Sequence, residues 1–134
     1  MSELDIRKWL SEVSETVKAR DLARHMDLVS ENVVVYGLPS GKTLSYADWR
    51  QRRKSEFKRN LIKNLAYDKL SIKNIGLRRL TFRIEEIMDG VNGDLAIINK
   101  EVILEQEKDN KWRVVEEQIK DWKFVKGSKS KASA

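Results

Sequence analysis

Near the start of the chain, apolar residues recur at three- and four-residue steps. Ile6, Trp9, Leu10, Val13 and Val17 form one stripe, which predicts an amphipathic helix. A second, short helix follows, with Leu22, His25, Met26 and Val29 on its inner side. After Ser30-Glu31-Asn32 the pattern changes to Val33-Val34-Val35-Tyr36, a β-branched run of the kind found in a buried strand, and Gly37, Pro39 and Gly41 end it. Ser45 with Asp48 three residues on predicts a capping box: the hydroxyl accepts from the N3 amide while the carboxylate accepts from the cap's own N–H. Trp49, Phe57 and Leu61 mark the buried side of the helix that follows.

From Asn64 onward no helical period survives, and four extended segments reach Phe124. Leu65 and Tyr67 share one parity and Leu70 and Ile72 the other, while Leu80, Phe82 and Ile84 give way to Ile87. Each switch predicts a bulge, and bulged, long antiparallel strands build a strongly curved sheet with a concave face. The hairpin from Asp94 to Phe124 carries the clearest signal, with WRVVEEQIKDW from Trp112 to Trp122 as its second strand. Val91-Asn92-Gly93-Asp94 and Lys108-Asp109-Asn110-Lys111 supply turns. The predicted order is helix, helix, strand, helix, then four strands.

Composition narrows what such a chain can be. Its 134 residues and single proline, Pro39, suit one domain over 1–125, followed by a basic tail of low apolar content, 126–134, expected to be disordered. The absence of cysteine excludes disulfides, zinc–thiolate sites and thiol nucleophiles. No long apolar stretch suggests export or a membrane span, so the expectation is a soluble, cytoplasmic protein without membrane contact. The net charge of +6 is concentrated around Arg50 to Lys63 and in the tail. A moderate positive charge is first of all a solubility device.

The element order, together with Arg20-Asp21-Leu22 opening the second helix, Ser30-Glu31-Asn32-Val33-Val34-Val35 entering the first strand and Lys111-Trp112-Arg113-Val114-Val115-Glu116-Glu117 in the last, resembles the nuclear transport factor 2-like superfamily. Ketosteroid isomerase and the polyketide-cyclase and scytalone-dehydratase branches share that fold. Ser45-Tyr46-Ala47-Asp48-Trp49 is further similar to modules of this fold attached to bacterial peptidoglycan-remodelling enzymes, although no transpeptidase cysteine is present. The resemblance implies a cone-shaped α+β domain, in which a strongly curved, mostly antiparallel sheet wraps around the N-terminal helices and leaves a pocket. It implies also a homodimer through the sheet. Where the isomerase branch carries its general base this chain has Tyr36-Gly37-Leu38-Pro39, and where the dehydratase branch uses paired histidines it has His25 alone.

The residues therefore offer a sparse acid–base set: His25, Glu101, Glu116 and Tyr36. Trp9, Val13, Tyr36, Trp49, Asn99, Glu101, Trp112, Glu116 and Gln118 are the candidate pocket wall for a small apolar ligand. Asn99 with Glu101, and Glu116 with Gln118, share strand parities and converge in the pocket only if those faces are concave; on the convex face they form a polar ladder. Arg50, Arg52, Arg53, Lys54, Lys58 and Arg59 make a positive stripe that an anionic partner could use, but no nucleic-acid signature accompanies it and a solvated face is the simpler reading. No motif names a cofactor or a metal. A non-catalytic binding or interaction module is the first expectation, and a lyase or isomerase of small hydrophobic substrates the alternative.

Overall fold

A computed structural model describes residues 2–127. Helix α1 (Ser2–Ala19) is followed by α2 (Leu22–Met26), strand β1 (Val29–Tyr36), helix α3 (Tyr46–Lys58) and strands β2 (Ile62–Ile75), β3 (Arg79–Gly90), β4 (Leu95–Gln106) and β5 (Trp112–Val125). One five-stranded sheet has the order β1-β5-β4-β3-β2; β1 runs parallel to β5 and every other pair is antiparallel. The fold is α+β, a sheet packed against the N-terminal helices.

The apolar stripe of α1 lies wholly in the core, where Ile6, Trp9, Leu10, Val13 and Val17 meet Leu65 of β2, Leu80, Phe82 and Ile84 of β3, and Val102 and Leu104 of β4. Alternation along β3 and β4 places those side chains on the helix-covered face. Ser14 ties α1 to the sheet by donating from Oγ to the Leu65 carbonyl at 2.8 Å. Helix α3 starts with the capping box read from the sequence: Ser45 Oγ accepts from the Asp48 amide and the Asp48 carboxylate accepts from the Ser45 amide. The helix ends at Lys58, and Asn60 turns the chain with a φ of 55°. Leu61 is therefore exposed rather than on the buried side, and Ile62 takes the inward position instead.

Bulges fall only partly where the parity switches suggest. In β2 the register shifts between Asp68 and Ser71, where Lys69 adopts a φ of 58°, as the change from Tyr67 to Leu70 predicts. In β3 the expected bulge between Ile84 and Ile87 is absent. The β3–β4 register runs unbroken from Arg79↔Glu105 to Asp89↔Leu95, and Glu86, not Ile87, continues the inward row. Strand β5 carries two irregularities, opposite Ile103/Leu104 and opposite Asn99/Lys100. Of the tail expected from Lys126, Gly127 is placed, its N–H donating to the Asp94 carboxylate; residues 128–134 lie outside the described residues.

Phe82, fully buried between the sheet and α1, measures how much the fold depends on this layer. Phe82→Ala is expected to lower the unfolding free energy by about 3–5 kcal/mol in urea titrations.

Candidate functional site

Helix α3 presents Trp49, Arg53 and Phe57 inward at four-residue spacing, so an arginine sits between two aromatic side chains on the buried face. They close around His25 of α2, which has no exposed surface. His25 Nε2 accepts from Trp49 Nε1–H and from Arg53 Nε–H, each at 3.2 Å. An acceptor at Nε2 fixes the neutral tautomer with the proton on Nδ1, which donates to Thr16 Oγ1 at 3.0 Å; Thr16 in turn donates to the Val13 carbonyl. Phe57 meets the imidazole edge-on at 5.8 Å. Burial, with Arg53 and Lys100 nearby, pushes the His25 pKa down to about 2.

Beside this cluster three strands bring charges together. Lys100 of β4 donates from Nζ to Glu86 of β3 at 3.0 Å and to both carboxylate oxygens of Glu117 of β5 at 3.1 and 3.2 Å. All three residues are buried. Tyr67 of β2 adds a second donor to Glu86, its hydroxyl 2.8 Å from Oε2. The two carboxylates consequently differ. Burial disfavours ionisation of Glu86, but Lys100, Arg53 and the Tyr67 hydroxyl outweigh it and hold its pKa below the ordinary value. Among the described residues Glu117 has Lys100 as its one donor, and burial raises its pKa. Burial works against the Lys100 ammonium as well, yet the two carboxylates keep its pKa above normal, so it is a cation and not an amine nucleophile.

This trio lines a cavity of about 60 Å³. Its walls are otherwise mainly apolar: Leu38, Trp49, Met88, Ile98, Ile119 and Trp122. Arg52 and Arg53 reach it from α3, and Leu38, Leu44, Arg52 and Trp122 continue into a shallower depression at the surface.

Among the nine residues expected in the pocket, Trp49 lines the cavity. Trp9 and Val13 are in the core under α1, where Trp9 Nε1–H donates to the Leu28 carbonyl, and Trp112 packs against that core from β5. Asn99, Glu101, Glu116 and Gln118 occupy the opposite face of the sheet. Glu101 pairs there with Arg83 across the strands, and Gln118 donates to Glu116. Tyr36 is exposed beside Glu116 and Gln118 in a shallow outer depression. Three acid–base candidates, Glu101, Glu116 and Tyr36, thus face away from the cavity. The fourth, His25, is enclosed, neutral and occupied at both nitrogens, which suits a positioning residue for Arg53 and not a proton carrier. Of the basic stripe, Arg50, Arg52, Lys54, Lys58 and Arg59 are exposed, whereas Arg53 points inward.

The residues missed from the sequence are Glu86, Lys100, Glu117 and Tyr67. Two had a signal. Leu80, Phe82, Ile84, Glu86 and Ala96, Ile98, Lys100, Val102, Leu104 are uninterrupted inward rows, each with one charged member. For Glu117 the signal is absent, since an extra residue in β5 between Val114 and Glu116 exchanges the parity: Val114 faces in, and so does Glu117.

Comparison with known proteins adds the fold. No protein-family model and no curated protein matches the chain. Among solved structures, a nuclear transport factor 2-like protein of unknown function from Shewanella oneidensis MR-1 superposes with a TM-score of 0.75 at 16% identity, over 90% of this chain and 100% of that one. A protein of Novosphingobium aromaticivorans DSM 12444 provisionally assigned as a scytalone dehydratase gives 0.72 at 8% identity, over 93% and 87%. A nuclear transport factor 2-like protein from Cytophaga hutchinsonii ATCC 33406 gives 0.68 at 12%, over 85% and 93%. The chain therefore has the nuclear transport factor 2-like fold, and identities this low establish the fold alone.

Two outcomes follow from the buried groups. Because His25 holds its proton far less readily folded than unfolded, the unfolded chain binds more protons below the unfolded pKa near 6.5. Stability should fall as the pH drops from there, by up to about 1.4 kcal/mol per unit. His25→Gln, whose amide oxygen can accept both N–H groups, should flatten that slope in denaturant titrations between about pH 6.5 and 4.5. Lys100→Met leaves two buried carboxylates without their shared cation and should cost about 3–5 kcal/mol at neutral pH. Their pKa values then rise, so the variant should regain stability on acidification and lose it as the pH increases.

Proposed function

We propose that this chain, nuclear transport factor 2-like in fold, binds one small and mainly apolar molecule in the cone cavity. The apolar body packs on Trp49, Leu38, Met88, Ile98 and Trp122, and one polar end meets the charged groups at Lys100 and Glu117. The observation that carries this reading is the Glu86–Lys100–Glu117 trio, buried and hydrogen-bonded through Lys100 on the lining of a cavity whose remaining walls are mainly apolar. Stability alone gives no reason for such a trio, since packed apolar side chains commonly serve as well as a buried ion pair. Convergent polar groups in an apolar pocket are the usual form of a small-molecule site.

A second reading, a lyase or isomerase acting on a small hydrophobic substrate, is favoured by one observation. Of the two carboxylates Glu117 has the fewer donors, and burial raises its affinity for a proton, as a general base or acid requires. Attachment of an anionic polymer to α3 ranks below both. Arg53 is turned inward and Glu56 pairs with Arg52, which leaves a thinner positive stripe of Arg50, Lys54, Lys58 and Arg59. A homodimer fits the outer sheet face, where Ile87, Ile97 and Ile103 lie half-buried near the Arg83–Glu101 pair. A reducing, cytoplasmic setting suits a chain without cysteine, and no helix among the described residues is long and apolar enough to cross a membrane.

Native mass spectrometry of the purified protein, followed by denaturing extraction, should release a defined small molecule. Leu44→Trp, which fills the cavity from the loop before α3, should weaken its rebinding by about tenfold or more, equivalent to about 1.4 kcal/mol. A protein that comes out empty and whose Trp49 and Trp122 fluorescence responds to no apolar probe would sink the ligand reading. Turnover that disappears in Glu117→Gln while binding persists would move the protein to the enzyme reading.

A further inference from the structure

Arg53 enters the cavity wall with two of its edges already engaged. Nε–H donates to His25 Nε2 at 3.2 Å and Nη1 donates to Glu56 at 2.9 Å. Nη2 donates to no protein group among the described residues. Nor is it sealed off: every fully buried side-chain nitrogen and oxygen there has a partner, and Arg53 lines the cavity. A guanidinium clamped on two edges is a preorganised donor toward whatever occupies the third. Three cations, Arg52, Arg53 and Lys100, and two carboxylates, Glu86 and Glu117, line the cavity, while Glu56, which is not on the lining, pairs with both arginines.

We infer that the polar end of the ligand is a carboxylate, held as the anion by Arg53 Nη2, and that Glu117 takes up one proton from solvent as the ligand binds. The inference rests on the small-molecule reading above and names its ligand class: a small, apolar carboxylic acid. A third carboxylate placed beside Glu86 and Glu117 makes full ionisation of all three unfavourable in a site with little water. The proton goes to Glu117, because Glu86 has donors from both Lys100 and Tyr67 while Glu117, among the described residues, has Lys100 alone. Glu86 on β3, Lys100 on β4, Tyr67 on β2 and Arg52 and Arg53 on α3 surround the site; His25 on α2 is neutral and β1 contributes the apolar Val35. Glu56 on α3 also bears on the site, since it accepts from Arg53 Nη1 and pairs with Arg52. Protonated Glu117 becomes a donor, so the pair it forms with the ligand is acid to carboxylate. No covalent bond changes; one proton passes from water to Glu117.

The test uses the intact chain and three matched probes, phenylacetate, 2-phenylethanol and 2-phenylethylamine, followed by tryptophan fluorescence and by calorimetry at pH 6 and pH 8 in buffers of different ionisation heat. Phenylacetate should bind at least about tenfold more tightly than the alcohol or the amine. Its affinity should fall as the pH rises, by up to about tenfold per unit, with close to one proton taken up per molecule bound. Glu117→Gln, which keeps a donor but cannot titrate, should retain phenylacetate and lose both the pH dependence and the proton uptake. Circular dichroism of this variant confirms that it is folded. Phenylacetate bound with no proton uptake and equal affinity at both pH values would overturn the inference, as would tighter binding of the alcohol, which would leave the small-molecule reading standing. Binding of none of the three would overturn both.

Discussion

An ammonium group taken out of water costs several kcal/mol unless partners replace the lost hydration, and Lys100 obtains that replacement from Glu86 and Glu117 on the two flanking strands. This requirement constrains the sheet around it. Strands β3 and β4 must pair without a slip so that Glu86 and Lys100 fall on the same face. Strand β5 must carry an extra residue so that Glu117, rather than Glu116, meets them. A one-residue error in either pair would bury an unpaired charge and turn an apolar row outward. The irregularity in β5 is thus part of the site's construction.

A second network fixes the helical wall. His25 is held neutral by burial and by the cations around it, and its Nε2 accepts from Trp49 and Arg53 together. The short helix α2 therefore orients the inward face of α3, and Thr16 links that arrangement back to α1. Sites are grafted on a fold by the side chains that line it. Here the lining holds a lysine between two unequal carboxylates and an arginine whose Nη2 donates to no group among the described residues, and the imidazole supports that arginine.

Much of the architecture is written locally. The stripe on α1, the capping box at Ser45, the β-branched run in β1 and the two tight turns are short-range patterns, and each forms the element it predicts. Arg53 shows how a composition-based reading goes astray. Four residues after Trp49 and four before Phe57 it shares their inward face, but its charge groups it with the exposed arginines and lysines. Glu86 shows the same effect in a strand, since a carboxylate on an inward row looks like a change of phase and suggests a bulge that is not there.

What the sequence alone determined is the order and type of the elements, because helix period, strand alternation and capping depend on residues within a few positions of one another. Which polar residues share the cavity was decided by tertiary structure. Glu86, Lys100 and Glu117 are brought within hydrogen-bond reach by pairing between three strands, and the bulge that selects Glu117 over Glu116 changes parity without leaving a mark in the local pattern. The protonation behaviour of the site belongs to the tertiary structure too, since a carboxylate's affinity for a proton depends on how many donors surround it and how little water reaches it.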